Sequence, residues 1–96
     1  MEEEVKQQIL SMSRNAHALT EASYQQNLSK QGDSGWSDKQ RILLADMALH
    51  LLQTSLKGGE ISEQDLKRNL FSILTISDQF IHSCDLKTFA EELYSS

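Results

Sequence analysis

Histidine, cysteine and carboxylate side chains are where a short chain carries chemistry, and this one offers His17, His50, His82 and Cys84, with Asp46 four residues before His50. A zinc centre needs four ligands, or three with an open position. These candidates fall on separate segments, and His82 and Cys84, two apart, point to different sides of a regular helix. A nucleophilic Cys–His pair needs a base oriented by a third group, and Cys84, at a helix junction among apolar neighbours, reads as a structural thiol. Gly32, Gly35, Gly58 and Gly59 lack the Gly-Lys-Ser/Thr ending of a phosphate loop. The expectation is therefore no catalytic residue, no cofactor and no metal, and so not an enzyme.

Asp46 and His50 can pair across one helical turn. They belong to a polar strip, Asp46, His50, Gln53 and Lys57, that faces either water or a subunit seam. In the second case oligomerisation should shift between about pH 5 and 7, where histidine titrates.

Composition bounds the rest. A chain of 96 residues with 39% hydrophobic and 24% charged content fits one folded domain. The absence of Pro, with abundant Leu, Gln, Glu, Lys and Ala, favours helix over sheet. The net charge of −5, with Lys and Arg occurring singly or in pairs, gives no basic stripe for phosphates. Nucleic acid is disfavoured as a partner, though charge alone does not exclude it. A single cysteine and the absence of an apolar signal core suggest a reducing, cytoplasmic setting. No apolar run approaches the roughly 20 residues that span a bilayer.

The elements that would position these side chains form an all-α fold, a small bundle of three to four helices with a central helical hairpin. A helix over 2–28 carries Val5, Ile9, Met12, Ala16 and Leu19 at alternating spacings of four and three. A loop over 29–36 follows. Ser37-Asp38-Lys39-Gln40 has the form of a capping box, starting a helix over 37–57. That helix is apolar around most of its circumference, which a chain this short has difficulty covering from within; this favours a homodimer. Gly58-Gly59 stops it. Ser62 with Asp65 caps a third helix over 62–82, and Ile61 with Leu66 forms a hydrophobic staple. Asp85 caps a short helix over 86–94, unless the third helix continues with a change of face.

The shared core or dimer face is assigned to Leu44, Leu49, Leu52, Leu70, Phe71 and Leu74. A partner face is assigned to Val5, Ile9, Met12, Arg14, Asp46 and His50.

The segment from Leu43 to Asp78, LLADMALHLLQTSLKGGEISEQDLKRNLFSILTISD, resembles the helix, Gly-containing turn, helix core of the YmgB/AriR family of small bacterial biofilm and acid-resistance regulators. The likeness lies in Leu44-Ala45-Asp46, in the capped start at Ile61-Ser62 and in Ser77-Asp78. Ala45 stands where a glycine is expected, and the connection through Lys57-Gly58-Gly59 is longer. The resemblance implies an all-helical homodimer that connects stress sensing to a two-component phosphorelay, with DNA binding also suggested for the family and no catalytic residues. The expected function is a non-enzymatic regulatory or adaptor protein with a protein partner. The alternative is an inhibitor or chaperone of phage or secretion type that binds one protein target.

Overall fold

A computed structural model of the chain describes residues 1–94. Four helices and no strands occur among them: α1 (Glu3–Gln26), α2 (Trp36–Leu56), α3 (Glu63–Ser77) and α4 (Leu86–Glu92). The fold is a small all-α bundle, as the composition and periodicity lead one to expect.

Each boundary has a local cause. Glu3 and Glu4 occupy the first turn of α1, where the helix dipole favours negative charge. Asn27 ends α1: its backbone N–H bonds back to Ser23 and Tyr24, its Oδ1 accepts from the Ser29 N–H at 3.0 Å, and its Nδ2 donates to the Gly35 carbonyl at 3.2 Å. The connection to α2 is thereby tied down at both ends. Helix α2 begins at Trp36, one residue earlier than the Ser37 capping box implies, with Gly35 as its cap and no side-chain bond there. Gln40 does not reach back to Ser37, because it is buried and accepts a hydrogen bond from Gln79 at 2.9 Å.

The turn between α2 and α3 follows the sequence. Gly59 takes φ of 84°, a left-handed conformation that side chains resist. Ser62 Oγ accepts from the Asp65 N–H at 3.2 Å, and Lys57 and Asp65 close the turn with an ion pair of 2.7 Å.

Helix α3 stops at Ser77 rather than at 82. Asp78 turns its carboxylate forward, and Oδ1 accepts from the Leu86 and Lys87 N–H groups at the start of α4. Phe80 and Ile81, which a helix running to 82 would place on its apolar surface, lie beyond the helix end and are exposed. Helix α4 is separate, capped by Asp85, and packs on α3 through the fully buried Ala90 and an edge-to-face contact of Phe71 with Tyr94 at 5.4 Å.

Packing is sequential: α1 against α2, α2 against α3, and α3 against α4, with no contact of α1 with α3. The molecule is accordingly open, 45 × 37 × 19 Å, with a radius of gyration of 15.1 Å against about 12.5 Å for a compact chain of this length. Among the described residues no large side chain is fully buried; Leu10 and Ile76, each 7% exposed, come near. Leu44, Leu49, Leu52, Leu70, Phe71 and Leu74 all remain half-buried.

Candidate functional site

Two features stand out on this open frame: a polar cluster between α1 and α2, and an outer face on α1 that carries no charge beyond its first turn.

The cluster centres on Asp46. It lies inside the α1–α2 contact, only 7% exposed, although its neighbours in sequence make it one edge of a polar strip. Its Oδ1 accepts from Thr20 at 2.6 Å and lies 2.5 Å from His17 Nδ1. Its Oδ2 lies 3.4 Å from His50 Nε2. The His17 and His50 rings meet edge to face at 4.8 Å, and His17 Nε2 lies 3.4 Å from Glu21. Burial pushes the Asp46 carboxyl up, but the hydrogen bonds from Thr20 and His17, with the positive potential of the two imidazoles, hold it below its ordinary value. The carboxylate is ionised and multiply bonded, as a buried charge must be.

The two helices bring this about by simple periodicity. His17 and Thr20 sit three apart on the face of α1 that also carries Leu10 and Ser13, the two buried residues of that helix. Asp46 and His50 sit one turn apart on α2. Neither pair predicts the other, since 29 residues separate His17 from Asp46. Lys39, 4.6 Å above the Tyr24 ring, fixes the register further along the same contact.

The second feature is the outside of α1. Val5, Met12 and Leu19 recur every seven residues and are exposed, Met12 and Leu19 by 69% and 71%. Gln8, Ser11, Asn15, Ala18 and Ala22 lie beside them on the helix and are exposed too. Glu4 heads this face at the N-terminal end of α1; from Val5 to Ala22 the face carries no charge, and Lys6, Arg14 and Glu21 lie on other faces. Ile9 and Ala16 turn partly inward and, with Met12, Ser13, Leu49 and Leu52, line an open apolar groove along α2.

The partner-face residues assigned from sequence therefore divide. Val5 and Met12 lie on the outer stripe, Ile9 at its edge and Arg14 on a different, exposed face. Asp46 and His50 belong instead to the internal cluster. His82 and Cys84 are both exposed in the α3–α4 connection, well apart from the other two histidines in the chain; Cys84 is not buried as a structural thiol. His17, Thr20 and Glu21 were not assigned a role from sequence. Their i, i+3, i+4 spacing is visible there, but not what it faces.

No helix among the described residues is long and apolar enough to cross a membrane. Comparison with protein-family models, with curated proteins and with solved structures finds no match to this chain.

Proposed function

We propose that this chain is a non-enzymatic interaction protein that works as a homodimer, paired through the outer face of α1, and presents its remaining helical surface to a protein target. The observation that carries this reading is the surface it leaves open. The accessible area is 6732 Å², whereas a compact monomer of this mass exposes about 5,600 Å². The excess, about 1,100 Å², exceeds the ~800 Å² that each partner contributes to a standard interface.

A second copy is the occupant that fits. The chain is acidic overall, so like copies repel except where charge is absent, and the α1 stripe beyond Glu4, from Val5 to Ala22, is an uncharged stretch long enough to align. Depletion of charge and the presence of Met and Leu are what an interface centre requires. Val5, Met12 and Leu19 supply knobs one heptad apart. Asn15, among them, supplies a polar group that penalises misaligned registers.

The regulatory role, as an adaptor and in its finer form as a two-component connector in a bacterial cell, rests on the likeness of the Leu43–Asp78 hairpin to the YmgB/AriR family. Oxidative cross-linking tests the pairing. In a Cys84→Ser background, Met12→Cys should form an intermolecular disulfide in good yield, while a cysteine at Arg14, on another face, should not. Equal cross-linking at both positions would refute a seam centred on Met12.

A further inference from the structure

We infer that His17, Asp46 and His50 form a binding site for a divalent transition-metal ion, with zinc the best-matched probe. The site does not depend on the dimer. Two imidazoles and one carboxylate are the nitrogen and oxygen donors that borderline divalent ions select. One ligand atom from each of the three residues lies within 4.8 Å of the others.

The spacing fits part of such a site already. Two donors about 2.0 Å from an ion at a tetrahedral angle stand about 3.3 Å apart. Asp46 Oδ2 and His50 Nε2 stand at 3.4 Å. The third donor, His17 Nδ1, now bonds Asp46 Oδ1 and must swing toward Oδ2. Its side chain is 30% exposed and that of His50 41%, so both rings have room to move without opening the helix contact.

The surroundings supply what ligands need behind them. Thr20 holds Asp46 Oδ1 at 2.6 Å, leaving Oδ2 to face the ion. Glu21 stands 3.4 Å from His17 Nε2, an acceptor close to the nitrogen of His17 that does not bind metal. Metal-ligating histidines are held in this way by carboxylates or carbonyls. The three protein donors leave a fourth position to solvent. Because the ligands come from two helices already in contact, the ion would brace α1 on α2 rather than create the fold.

Zinc titrated into metal-free, untagged full-length protein tests this, with calorimetry reading stoichiometry and affinity and Co²⁺ absorption reading the donor geometry. The expected result is one ion per chain and a raised unfolding temperature. Loss of one ligand, in His50→Gln and separately in His17→Gln, should weaken binding by at least about tenfold. The double variant His82→Gln with Cys84→Ser should bind as the wild type does, which separates this site from the exposed histidine and thiol near α4. Absence of saturable uptake by the wild type, or uptake unchanged by both glutamine variants, or uptake lost in the His82/Cys84 variant, would each overturn the assignment.

Discussion

His17 of α1 and Asp46 of α2, 29 residues apart in the chain, meet with 2.5 Å between Nδ1 and Oδ1, and this contact ties the first helix to the second. Asp46→Ala removes the acceptor shared by His17 and Thr20. His17 and Thr20 are only part-buried and keep Glu21 and the His17 carbonyl as neighbours, so the loss costs about 1 kcal/mol, the low end for an unpaired polar group, and each kcal/mol lowers the midpoint of a domain this size by about 4–8 °C. Thermal unfolding in metal-free buffer should therefore show a midpoint lower by about 4–8 °C. An unchanged midpoint would mean that the cluster does not hold α1 in place.

Gly58 and Gly59 are adjacent but unequal. Only Gly59 has positive φ, and a Cβ on either would meet nothing within 4 Å. Gly59→Ala thus isolates the backbone cost of a left-handed residue, about 1–2 kcal/mol. Gly58→Ala should be neutral or slightly stabilising by about 0.4–1 kcal/mol through the unfolded chain. Denaturant titration of the two variants measures the difference, and equal midpoints would contradict the assignment of the turn.

The Lys57–Asp65 pair gives the turn a pH dependence of known sign. The hydrogen bond and positive charge of Lys57, with Arg68 and the Ser62 hydroxyl, lower the Asp65 carboxyl from its ordinary value of 3.8. A lowered folded-state value means that the stabilisation is complete above the unfolded value and is lost as pH falls through the folded one. Unfolding temperatures measured from pH 6 down to pH 3 should fall less steeply for Asp65→Asn than for the wild type, and the contrast should shrink at high salt because the pair is exposed. Parallel slopes would show that the pair contributes nothing to acid sensitivity.

Particular residues show what the sequence could convey. Ser62, Asp85 and Gly59 act locally, within four residues, and each does in the structure what its type and position imply. Ser37 and Gln40 have the same local form as a capping box, yet Gln40 is taken by Gln79, 39 residues away, and the box does not close. The end of α3 was misplaced for a related reason: Asp78 is used by the start of α4, so the apolar Phe80 and Ile81 do not extend the helix. Within the cluster the Asp46–His50 pair is legible as an i, i+4 spacing on one helix, whereas the arrival of His17 is not, because it comes by packing from a second helix. The α1 stripe was legible as a helical face, while its exposure followed only from seeing that α1 touches α2 alone.

Sedimentation of the wild type and of Leu19→Glu across a concentration series tests the central claim most directly. Leu19 is 71% exposed in the single chain, so the substitution should leave helicity and the Asp46 cluster intact. The wild type, with a chain mass of 10.9 kDa, should sediment as a dimer, and Leu19→Glu should sediment as a folded monomer. A monomeric wild type, or a variant that dimerises as tightly as the wild type, would contradict pairing through the outer face of α1.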